Sequence, residues 1–102
     1  MGLGIALQDE WGTELDMVAD PKNYLGRLLP EYGDPAHPML ASIDFYADTV
    51  FNRMQMERFL TEWTEVSMKA RAPEERELIS AIERLACRVR DEVHLYLKFI
   101  GD

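Results

Sequence analysis

The chain has one cysteine, two histidines, and eleven basic residues against nineteen acidic ones in 102 positions. Each scarcity excludes something. The lone thiol, Cys87, makes no internal disulfide, whereas a secreted domain this small would ordinarily rely on several. No apolar run reaches the roughly 20 residues that cross a bilayer as a helix. Met1–Leu7 carry no basic residue and run into Gln8-Asp9-Glu10, which is wrongly flanked for a secretory signal. Ala6 stands where a myristoylation motif built on Gly2 needs Ser or Thr. A cytoplasmic protein is expected.

The charge is unevenly placed. Residues 1–48 hold nine acids against two bases, a net of −7, while residues 49–102 hold ten acids and nine bases, a net of −1. A field of this sign repels phosphate backbones and anionic lipid, so neither nucleic acid nor a membrane surface is expected as a partner. It is compatible with a basic protein, and it keeps the chain soluble in any case. The apolar share of 47% is ample for a core, so one folded domain over residues 1–102 is expected.

Periodicity divides the chain into elements. Leu3, Ile5 and Leu7 alternate with Gly4, Ala6 and Gln8, and Leu15, Met17 and Ala19 alternate with Glu14, Asp16 and Val18. With the turn cluster Asp9-Glu10-Trp11-Gly12 between them, the pattern is a β-hairpin. Asp20-Pro21 has the form of a helix start, followed by Tyr24, Leu25, Leu28 and Leu29 on one face as far as Pro30. Glu31–Pro38 is a loop by its proline and glycine content. Residues 40–52 fit two periods. Their aromatic and β-branched content favours a strand near Leu40–Phe45 with a turn at Tyr46–Thr49, although Ile43, Tyr46 and Val50 also keep helical spacing.

Asn52 with Gln55 has the spacing of a capping box, ahead of a helix carrying Met56, Phe59, Leu60, Trp63, Val66 and Ala70. Pro73-Glu74-Glu75 opens another helix, whose stripe is Leu78, Ile79, Ile82, Leu85, Ala86, Val89 and Val93. Val93, Leu95, Leu97 and Phe99 then alternate as a strand, with helical spacing as the competing reading. Together these predict an α+β fold. A small, mainly antiparallel sheet (N-terminal hairpin, a central strand, a C-terminal strand) packs against two longer helices and one short one.

Chemistry-bearing motifs are sparse. His37 and His94 lie in unrelated segments and share no metal-ligand spacing, so no metal or other cofactor is expected. Cys87 has Arg84, Arg88 and Arg90 about it, which would favour a thiolate, but it sits beside the apolar stripe as a small hydrophobe does. Ser42, Ser67 and Ser80 belong to no nucleophile motif, and no glycine-rich phosphate loop is present. The balance leans away from an enzyme.

Two surfaces remain as candidates. The first is a partner-binding surface formed by Asp9, Glu10, Trp11, Glu14, Tyr32 and Tyr46, which joins the acidic half to residue types enriched at interface hot spots. It gives a protein-interaction module of immunity or inhibitor type with a basic protein partner. The second is a small-molecule or small-enzyme pocket between sheet and helices near Asp44, Asp48, His94 and Tyr96. A homodimer consuming surplus apolar surface is a third use of the chain. The stretch Asp48-Thr49-Val50-Phe51-Asn52-Arg53-Met54-Gln55 and the ending His94-Leu95-Tyr96-Leu97-Lys98-Phe99-Ile100-Gly101-Asp102 resemble small bacterial proteins of similar length. That resemblance implies a bacterial, cytoplasmic protein and carries no functional residue with it.

Overall fold

A computed structural model describes residues 2–101; Asp102, the last residue of the ending quoted above, lies outside the described residues, as does Met1. Strands β1 (Gly4–Asp9) and β2 (Glu14–Ala19) form the hairpin, followed by a one-turn helix α1 (Leu25–Leu28). After a long loop come the short strand β3 (Thr49–Phe51), helix α2 (Met56–Ser67), helix α3 (Pro73–Asp91) and strand β4 (Leu95–Ile100). The sheet is antiparallel throughout, in the order β2-β1-β4-β3. This is the α+β architecture that periodicity predicts, with the helices on one face.

Register follows from burial. Ile5 pairs with Phe99 and Leu7 with Leu97, so their side chains share the helix-facing side, where all four are fully buried. Phe51 on β3 pairs with Leu97 and meets Phe59 of α2 at 5.2 Å between ring centroids and Phe99 edge-on at 5.9 Å. Phe59 stacks on Trp63 at 5.5 Å, and the indole N–H of Trp63 donates to the Ile79 carbonyl at 3.2 Å. One aromatic column thus ties β3, β4, α2 and α3 together. Side chains from both layers belong to one buried hydrophobic cluster.

The helix ends obey their local signals. Asn52 Oδ1 accepts from Gln55 N–H at 3.1 Å, and Gln55 Oε1 accepts from Asn52 N–H at 2.7 Å, completing the capping box ahead of α2. At α3, Pro73 occupies the first turn and Glu75 Oε1 accepts from Arg71 and Ala72 N–H at 2.8 and 3.1 Å. Arg27 reaches the other Glu75 oxygen from α1. The helical reading of residues 93–100 is not the one adopted. Glu92 leaves the helix extended, and His94, at φ +61°, turns the chain into β4.

Three expectations are corrected. The helix at Asp20-Pro21 begins later, at Leu25, because Pro21 and Lys22 form a turn closed by Asn23 at φ +55°. Asp20 still caps it, from within the core, accepting from Tyr24 and Leu25 N–H at 2.9 Å each. The strand expected at Leu40–Phe45 is absent. Leu40–Ser42 is a 3₁₀ turn, and the third strand is Thr49–Phe51 at the sheet's edge. Buried Glu62 of α2 decides this by accepting from Met39 and Leu40 N–H at 3.1 and 2.9 Å, which takes those donors from any ladder. Finally, the alternation in β2 has the opposite phase. A bulge opposite Leu7 and Gln8 pairs Val18 with Ile5 on the core side and leaves Met17 facing out, 47% exposed.

Glu62→Ala strands two loop N–H groups and leaves Arg58 without its partner, so a loss of about 2–4 kcal/mol in urea unfolding is expected. Glu62→Gln, which keeps one acceptor, should lose less. Glu75 is held down to about 2 by Arg27, then by the Arg71 and Ala72 N–H groups, against an ordinary value of 4.5. Its folded-state value is depressed, so its contribution is complete above about 4.5 and disappears as pH falls toward about 2. Urea midpoints of the native chain and Glu75→Gln should therefore converge across that window, and a gap that stays constant would contradict the assignment.

Candidate functional site

The six residues of the expected partner surface fall into two groups at opposite ends of the sheet. Asp9, Glu10, Trp11 and Glu14 surround the hairpin tip, beside the start of β4, where Asp9 pairs with Leu95. Tyr46 lies at the other end, where Gly4 pairs with Ile100 and the following Gly101 N–H donates to the Ala47 carbonyl at 3.1 Å. Five residue steps of strand, roughly 17 Å, lie between the two ends. They form two separate patches.

At the tip, Asp9 is occupied by the turn itself. Its Oδ1 accepts from Trp11 and Thr13 N–H at 2.9 Å each, and its carbonyl accepts from Gly12 N–H at 3.1 Å, with Gly12 at φ +81°. This geometry turns the Trp11 ring away from the core, 82% exposed. Glu10 stands 3.6 Å from His94 Nδ1, and Glu14 is exposed on the edge strand.

At the opposite end, Tyr32 and Tyr46 are brought to a common cleft of about 410 Å³ that is also lined by Ile43, Asp44 and Phe45. The connection that carries them, residues 29–48, is irregular but heavily tied. Gly33 N–H donates to the Ala41 carbonyl at 3.0 Å and Ala41 N–H to the His37 carbonyl at 2.8 Å. Asp34 Oδ1 accepts from Ala36 N–H at 3.0 Å and its Oδ2 faces His37 Nδ1 at 3.2 Å. The first of these contacts, then the second, lowers the Asp34 pKa. On its other side His37 Nε2 lies 3.5 Å from Glu65 of α2.

The second half of the cleft rests on a close approach. A Cβ on Gly101 would sit 2.5 Å from the backbone of Ala47 and 2.8 Å from that of Phe45, so only glycine lets the end of β4 press against Phe45–Ala47. Asp44 Oδ1 accepts from Tyr46 N–H at 2.8 Å, and Asp44 N–H donates to Thr49 Oγ1 at 3.1 Å. Ile43 is buried beneath, Phe45 packs partly on the core, and Tyr32 and Tyr46 are 76% and 81% exposed. Asp44 is half-buried and forms no ion pair among the described residues.

The four residues of the alternative pocket are dispersed. Asp44 lines the tyrosine cleft, and Asp48 Oδ2 lies 3.4 Å from Lys98 Nζ. Tyr96 pairs with Gln8 on the face of the sheet away from the helices, and His94 belongs to the hairpin-tip end. Leu95, Leu97 and Phe99, the alternate residues of the same strand, take the helix side. Cys87 is partly exposed on α3. No group of three or more His, Cys, Asp or Glu able to hold a metal occurs among the described residues, and no helix there is long and apolar enough to cross a membrane.

The sequence placed Tyr32 and Tyr46 on one surface and Asp44 in the other candidate site; Ile43 and Phe45 were missed as lining residues. The adjacent aromatics Phe45-Tyr46 are the one local signal for the cleft. The approach of Gly101 has none. Comparison with protein families, curated proteins and solved structures returns no match.

Gly101→Ala is expected to displace Phe45–Ala47 and to alter the amide NMR signals of residues 44–47 while leaving those of residues 9–14 unchanged. Unaltered signals at 44–47 would show that the close approach does not shape the cleft.

Proposed function

We propose that this protein is a non-enzymatic interaction module that binds a basic protein through its acidic first half, in the manner of an immunity or inhibitor protein. The observation that carries the reading is the exposure of Trp11, Tyr32 and Tyr46, each three-quarters or more open to solvent, on acid-bearing loops. Tryptophan and tyrosine are the side chains that most often anchor interfaces, because they bury large areas with few rotatable bonds.

The acids divide by role. Asp20, Glu62 and Glu75 are buried, and each accepts at least two backbone N–H bonds, so they belong to the scaffold. Asp9 belongs to its turn. Glu10, Glu14 and Glu31 are exposed and supply the long-range field that would steer a positively charged partner.

Capture from a bacterial lysate with the native chain and with the triple variant Glu10→Lys, Glu14→Lys, Glu31→Lys tests this. Asp9 is left in place to preserve the turn. One stoichiometric basic protein should be retained at low salt by the native chain, lost as ionic strength rises, and absent with the variant. A partner held equally by both chains would refute the electrostatic reading.

A further inference from the structure

We propose that the cleft between Tyr32 and Tyr46 is a receptor for a single arginine side chain presented by the basic partner. This rests on the interaction reading and identifies the group that the second patch recognises.

Three features of the cleft select the ligand. Its walls and floor are aromatic and aliphatic: Tyr32, Phe45 and Tyr46 over Ile43. A planar cation stacks on such rings, drawn by the negative faces of their π-systems, and guanidinium does so more readily than the strongly hydrated ammonium of lysine. The remaining lining residue is Asp44, which commits Oδ1 to the Tyr46 N–H and forms no ion pair among the described residues. Its Oδ2 is left to receive a guanidinium N–H, a charge-assisted bond stronger than a neutral one.

The surrounding field has the same sense. Glu31 and Asp34 line the depression on the other side of Tyr32, and the half of the chain to which all of them belong carries a net −7. Lys69 shares that depression with Glu31 and Asp34 and forms no ion pair among the described residues, so it offsets part of their charge; three other cations are engaged. Lys98 is with Asp48, Arg27 with Glu75, and Arg58 with Glu62. A cleft of about 410 Å³ accommodates a guanidinium with its methylene stem and excludes little else of that size on steric grounds. Selection therefore comes from charge and stacking.

The test is an amide NMR titration of the full chain with acetyl-glycyl-arginyl-glycinamide. The comparison peptides carry citrulline, which keeps the shape and removes the charge, or lysine. Saturable shifts are expected at Tyr32 and Asp44–Tyr46, with the Asp9–Glu14 signals still. Citrulline should produce none of them, and lysine should bind more weakly. Asp44→Asn, which keeps the Oδ1 acceptor, and Tyr46→Ala should each weaken arginine binding about fivefold or more. Trp11→Ala should leave it unchanged.

Equal binding of the citrulline or lysine peptide, shifts confined to the hairpin tip, or no saturable shift at the cleft would overturn the proposal. The two readings fail separately. A captured basic protein that binds Asp44→Asn and Tyr46→Ala as tightly as the native chain would remove the cleft and leave the interaction module standing.

Discussion

Glu62 faces inward from α2 with almost none of its surface in water, and its carboxylate accepts the Met39 and Leu40 N–H groups while Arg58 closes on it from the same helix. A buried anion is tolerated only where such donors replace its lost hydration. The dependence is mutual, because Met39 and Leu40 begin the 3₁₀ turn and its first N–H groups have no partner within it. The same solution recurs twice. Asp20 holds the entry to α1, and Glu75 joins the α2–α3 connection to Arg27. The three buried acids of the core are all fasteners of connections, and the described residues hold no buried side-chain polar atom without a partner.

This arrangement determines where the surface features lie. Because Glu62 fixes Met39 and Leu40, the connection is pinned against α2 at a set point, drops Leu40 and Ile43 into the core, and continues along the sheet's end as Phe45–Ala47. Gly101 receives it there. Tyr32 and Tyr46 consequently stand on either side of one cleft, although fourteen positions separate them and neither packs into the core. Backbone hydrogen bonds along the 29–48 connection hold its irregular path in place, which is the requirement for a recognition site on a loop.

The hairpin tip is organised by different means. There the backbone is set locally, by Asp9 and Gly12, and the exposed Trp11 follows from the turn alone. The two patches are thus independent products of the same acidic half. One is built by the short run Asp9–Glu14 and the other by the meeting of the 29–48 connection with the C-terminal strand.

The contrast marks how much could be read from the sequence. The hairpin, the Asn52–Gln55 cap, both long helices, the terminal strand and the α+β class are legible because they depend on periods of two and 3.6 and on caps a few residues long. The acidity of residues 1–48 is equally a property of the sequence. Leu40–Phe45 misled because its strand-like composition is overruled by a carboxylate more than twenty positions away, and β2 misled because one bulge reverses the phase of a whole strand. The separation of Trp11 from Tyr46, the dispersal of Asp44, Asp48, His94 and Tyr96, and the meeting of Asp44 with Tyr32 and Tyr46 in one cleft were decided by tertiary structure alone. Each depends on which distant backbone groups meet, and hydrogen-bond satisfaction and close packing settle that only once the chain has folded.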